Sequence, residues 1–95
     1  MAEIPKIETG WNMTAQDFGS HVEVRVALKP TAQPVDEMIV IAYDQSGVVI
    51  DSLGISRLRP GEPERTANLI TAGQTPARVV VRASNPTRQR TAQLR

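Results

Sequence analysis

The chain has no cysteine, which excludes disulfides, thiolate metal sites and thiol nucleophiles, and cysteine usage therefore assigns no redox compartment. Aromatic side chains are scarce: Trp11, Phe18 and Tyr43 are the complete set among 95 residues. A core must then rest on Val, Ile, Leu and Ala, each of which buries less area than a ring. The single histidine, His21, leaves any transition-metal site dependent on carboxylates. No apolar run approaches the ~18 residues that a membrane helix needs. The opening residues Met1-Ala2-Glu3-Ile4-Pro5-Lys6 lack the apolar stretch of a signal peptide. These features predict synthesis as a soluble cytoplasmic product with no membrane partner, wherever it is finally incorporated, a virion or similar assembly included.

Acids are also missing from one end. Residues 1–64 carry all ten carboxylates and five bases, for a net charge of −5, whereas residues 65–95 carry six arginines and no acid. Such asymmetry suggests an electropositive arm. Arg65, Arg78 and Arg82 fall within predicted strands, where cross-strand pairing with acids is the expected use. Arg88, Arg90 and Arg95 fall beyond the last predicted strand and are expected to make contacts with a partner.

What the chain does contain is strand periodicity. Ile7, Thr9, Trp11 and Met13 alternate with Glu8, Gly10, Asn12 and Thr14, predicting an opening strand with Trp11 turned to the core. Asp17-Phe18-Gly19-Ser20 reads as a turn. Val22, Val24, Val26 and Leu28 then alternate with Glu23, Arg25 and Ala27, the clearest period-two run in the chain. Pro30 and Pro34 bracket a loop, because proline cannot donate to a central ladder. Residues 38–43 are apolar at every position, which predicts a central strand covered on both faces or lying at an interface. Asp44-Gln45-Ser46-Gly47 supplies a turn, residues 48–53 return, and residues 56–63 cross over with Pro60-Gly61 as the corner. Residues 65–70 and 78–84 give two further strands, separated by a turn over residues 71–76. Six or seven short strands at such even spacing predict an antiparallel β-sandwich. The domain is expected to span residues 1–85, with residues 86–95 as a basic C-terminal tail too poor in apolar residues to fold alone.

Within this pattern, Tyr43-Asp44, Gly47, Val48-Val49-Ile50 and Leu58-Arg59-Pro60-Gly61-Glu62 carry a resemblance. Residues 35–64 look like the Ig-like FxLYD-type domains of bacterial proteins, in which an apolar strand ends in Tyr-Asp. A glycine turn, a return strand and a Leu-x-Pro-Gly-Glu corner follow. Val40 stands where the family has an aromatic residue, and Ala42 where it has leucine. The resemblance implies an Ig-like sandwich and no catalytic residues, and the composition of this chain adds extended polar termini to that expectation.

Chemistry-bearing residues are few. Ser20, His21 and Asp17 hold the side chains of a hydrolytic triad, but a triad is assembled in space and neighbours on a turn are expected to point apart. Asp36, Asp44 and Asp51 at strand ends are the only grouping suggestive of calcium, and Asp44-Gln45-Ser46-Gly47 is too short for an EF-hand loop. Phosphate-binding and dinucleotide motifs are absent, and Asn12-Met13-Thr14 is read as an accidental glycosylation sequon. The arginine-rich end lacks interleaved aromatics, which argues against nucleic acid as a partner.

The expectation is accordingly a non-enzymatic module with no cofactor and no metal. It would bind a protein partner or self-assemble, docking on a larger assembly in the manner of accessory or decoration proteins of phage particles. Ile7, Trp11, Met13, Arg88, Arg90 and Arg95 are the expected partner contacts, through an N-terminal arm and the C-terminal tail. The competing expectation is a carbohydrate- or small-ligand-binding module, which would need exposed aromatics for stacking.

Overall fold

In the computed structural model, which describes residues 10–84 and 87–94, the chain folds into seven antiparallel strands and no helix among the described residues. These are β1 (Trp11–Asp17), β2 (His21–Leu28), β3 (Val35–Tyr43), β4 (Val49–Leu58), β5 (Arg65–Ile70), β6 (Arg78–Ala83) and β7 (Arg88–Gln93). They form a three-stranded sheet in the order β1-β2-β5 and a four-stranded sheet in the order β4-β3-β6-β7. The two sheets face each other as a β-sandwich, the class that the strand periodicity predicts.

The alternation of β2 places Val22, Val24, Val26 and Leu28 in the core. Met38, Val40 and Ala42 of β3 enter it from the other sheet, as do Val79 and Val81 of β6. At roughly 25 cal/mol per Å2 of apolar area, this valine-rich interior supplies the main stabilising term. Trp11 is the largest side chain in it and is completely buried.

Two expectations are corrected here. The described part of the expected tail is not a tail, because residues 88–93 add β7 to the edge of the larger sheet, pairing with β6 from Arg78↔Gln93 to Ala83↔Arg88. Among the described residues the opening strand starts at Trp11, and Gly10, inside the expected alternation, takes a φ of +69° instead of an extended backbone; expected strand positions 7–9 lie outside the described residues. Residues 1–9, with the proposed N-terminal arm, lie outside the described residues.

Gly10 is held there by a close approach. Its carbonyl accepts the Lys29 amide at 2.8 Å, and a Cβ built on it would stand 3.0 Å from the Ala32 Cβ. Gly61 also has a positive φ, +81°, but faces open space. Left-handed backbone costs a non-glycine residue about 1–2 kcal/mol. Gly10→Ala is expected to lower the melting temperature by about 10 °C, and Gly61→Ala by roughly half of that. Equal losses in the two thermal melts would mean that the Ala32 contact contributes nothing.

The turns follow their sequence chemistry. Asp44 Oδ1 accepts the amides of Ser46 and Val48, both at 2.9 Å, and Gly47 supplies a φ of +87°. Asp17 Oδ1 accepts the Gly19 amide at 2.8 Å in the β1–β2 turn. Fully buried Thr71 donates its hydroxyl to the Gly19 carbonyl at 2.8 Å, fastening that turn to the end of β5.

β4 runs further than its sequence suggests, through Ser56 to Leu58, before the corner at residues 59–62. Its backbone pairs with β3, yet side chain–backbone bonds also tie it to β5. Asp51 Oδ2 accepts the Ile70 amide at 2.9 Å, and Arg65 donates to the Ser56 carbonyl at 3.0 Å. These bonds occupy part of two sheet edges that would otherwise present bare backbone groups.

Candidate interaction surface

The expected contact residues separate in space. Trp11 is interior, and Met13 is half-buried against the core. Arg88 is buried too, at 7% exposure, with its guanidinium carbon 5.7 Å from the centre of the Trp11 ring. Arg90 is exposed, and its guanidinium donates to the Trp11 carbonyl. Ile7 and Arg95 lie outside the described residues.

The physical reason for this arrangement is the geometry of a three-on-four sandwich. β1 and β7 are the outer strands on one side, and inward positions there face an opening rather than a full sheet. Arg88 and Arg90 alternate with Gln89 and Thr91, so both arginines turn inward. Their aliphatic stems lie along the apolar edge while the charged ends find a ring face and a carbonyl. The basic segment read as a partner-seeking tail therefore closes the domain over its own tryptophan.

The strand arginines also depart from expectation. Among the described residues the ion pairs are Arg25–Glu23 at 2.9 Å, Arg25–Glu64 at 3.4 Å and Arg59–Asp36 at 3.7 Å. Arg65 instead donates to a backbone carbonyl, and Arg82 to the Gln89 side chain at 3.2 Å. Arg78 lies over Tyr43, 4.8 Å from the ring centre. Cross-strand register decides this outcome: Arg82 is opposite Ile39 and Gln89, and Arg78 opposite Tyr43 and Gln93, so neither has an acid directly across from it.

That register also defines the outer face of the four-stranded sheet. β3 lies in the middle of the sheet, as its apolar run predicts, but the described residues cover only one of its faces. Ile39 remains 47% exposed, and Ile41 is half-buried. Beside them Val80 is 6% exposed although it points outward, opposite Ile41. Across β3 the neighbours are Gly54 and Ser52 of β4, which put little side-chain bulk on the face.

The remaining candidate chemistry is dispersed. Ser20 Oγ and His21 Nδ1 are 3.1 Å apart, closer than the turn argument expects, because Ser20 sits in the bend rather than in the strand. The Asp17 carboxylate is turned to the backbone of its own turn, and Phe18 stacks on the His21 ring with centres 5.1 Å apart. Asp36, Asp44 and Asp51 do not converge, being bound respectively to Arg59, a turn and the Ile70 amide. Among the described residues no three His, Asp or Glu side chains come together in a metal-holding group. A hollow of about 470 Å3 at one end of the sandwich is lined by residues including Asp44, Ser46, Gln74, Thr75 and Leu94. No helix of the described residues is long and apolar enough to cross a membrane.

These features define a two-sheet antiparallel β-sandwich with a partly apolar, arginine-flanked outer face. No protein family, curated protein or solved structure matches the chain.

Proposed function

We propose that the chain is a non-enzymatic interaction module, an Ig-like sandwich that docks onto a larger assembly as accessory or decoration proteins of phage particles do. The observation that carries this reading is the open outer face of β3, where a central strand exposes Ile39 instead of a polar residue. Antiparallel sheets ordinarily alternate apolar-in and polar-out, so an apolar outer face on a central strand points to a second contact.

The Ig-like part of the reading draws support from strand order. Constant-type Ig domains place their strands as 1-2-5-4 facing 3-6-7. Here the order is 1-2-5 facing 4-3-6-7, which differs only in the sheet that β4 joins. The resemblance of residues 35–64 to FxLYD-type domains points the same way.

The carbohydrate-binding alternative draws no support from the aromatic side chains. Trp11 is interior, Tyr43 lies under Arg78, and Phe18, a half-exposed ring, stands alone at a turn with one face stacked on His21. The hollow at the end of the sandwich has no aromatic wall.

Density-gradient sedimentation of extract from the native host, followed with an antibody to this chain, tests the reading. The chain is expected to travel with particles far larger than its 10.4 kDa mass and to leave them at high salt. Recovery only at the position of the free monomer would overturn it.

A further inference from the structure

We propose that the outer face of the β4-β3-β6-β7 sheet binds an acidic protein surface, one with carboxylates flanking an apolar centre. The proposal rests on the interaction-module reading above and names the face and the chemistry of its partner. Ile39 and the half-buried Ile41 of β3 form the centre, with Val80 of β6 packed beside them, directly across from Ile41 and itself buried. Arg78 and Arg82 lie on the same side of β6 as Val80, on either side of it along the strand. Four residues of extended chain put the two positions about 13 Å apart.

Charge selects the partner. Among the described residues neither Arg78 nor Arg82 forms an ion pair; of the two exposed acids of β3, Asp36 is bound to Arg59, which leaves Glu37. The guanidiniums are held in place rather than neutralised, Arg78 over Tyr43 and Arg82 by Gln89. Positioned arginines beside a tyrosine and an isoleucine cluster have the composition of a binding hot spot. On the other flank Ser52 and Gly54 leave room for an approaching surface. A second copy of the chain would bring one carboxylate not already in an ion pair, Glu37, for two guanidiniums, so a foreign acidic surface complements the face better.

A random dodecapeptide library displayed on phage, selected on the purified full-length chain, supplies the probe. Enriched peptides are expected to carry Asp or Glu on both sides of apolar residues. Their affinity, titrated with synthetic peptides, is expected to fall about tenfold or more in the double variant R78E/R82E and in Ile39→Lys. Arg25→Glu, on the other sheet, should change it less than about twofold, because an exposed ion pair contributes little. Thermal melts establish that each variant is folded, and Ile39→Lys alone carries the test where the double variant is not.

Enriched peptides without acids, or acidic peptides whose affinity survives these changes, would overturn the face while leaving an interaction module in place. Failure of the folded chain to enrich any peptide would overturn both. Self-association of the free chain that Ile39→Lys abolishes would make a second copy the occupant and overturn the foreign partner. Binding of a labelled single-stranded DNA, lost in R78E/R82E, with no acidic peptide enriched would overturn the proposal in favour of nucleic acid.

Discussion

Trp11→Ala is expected to lower the melting temperature by roughly 15 °C or more, measured by far-ultraviolet circular dichroism. Trp11 is completely buried and is the largest side chain in a core otherwise built from valine, leucine, isoleucine, methionine and alanine. Removing a buried ring costs about 3–5 kcal/mol, against a total stability of about 5–15 kcal/mol for a domain. The change also removes the ring face under the Arg88 guanidinium, which then borders a cavity. Trp11→Phe should recover much of the loss, since it keeps an aromatic face and leaves a smaller void. A fall below about 5 °C for the alanine variant would show that Trp11 does not anchor the sandwich.

Ending the chain at Ser84 is expected to abolish the cooperative melt altogether. Six residue pairs between β6 and β7 would be lost, exposing the backbone edge of β6 beside Val79 and Val81. Arg88 would leave the Trp11 ring, Arg90 would leave the Trp11 carbonyl, and Leu94 would leave the apolar side of the core. A β-sandwich cannot compensate locally for a missing edge strand, because each sheet covers the other. Arg88→Ala isolates one part of this effect. It should cost about 2 kcal/mol, the scale of a desolvated cation–π contact. A truncated chain that melts like the full one would show residues 85–95 to be dispensable, as a loose tail is.

Strand identity was largely legible in the sequence, and the reasons lie in particular residues. The alternation of Val22, Val24, Val26 and Leu28 can bury only one face of a strand. Asp44-Gln45-Ser46-Gly47 contains both the carboxylate that binds turn amides and the glycine that takes a positive φ. β7 was illegible because its inward positions are Arg88, Arg90 and Ala92. A reading of apolar against polar residues scores arginine as solvent-facing, and only the position of Trp11 makes that stem and cation useful inside. Gly10 was misread for a related reason: the alternation continues through it, whereas its backbone turns left-handed beside Ala32.

The candidate surface was half legible. The apolar run from Met38 to Tyr43 already called for a second covering, and the structure leaves its outer side open at Ile39. The arginines were visible as charges, but their destinations were not. Local chemistry acts between neighbours in sequence, so composition and period-two patterning by themselves determined the all-β class, the turns and the inward face of each central strand. Cross-strand register joins residues distant in sequence, so only the tertiary structure decided that Arg88 covers Trp11 while Arg78 and Arg82 flank an open apolar face.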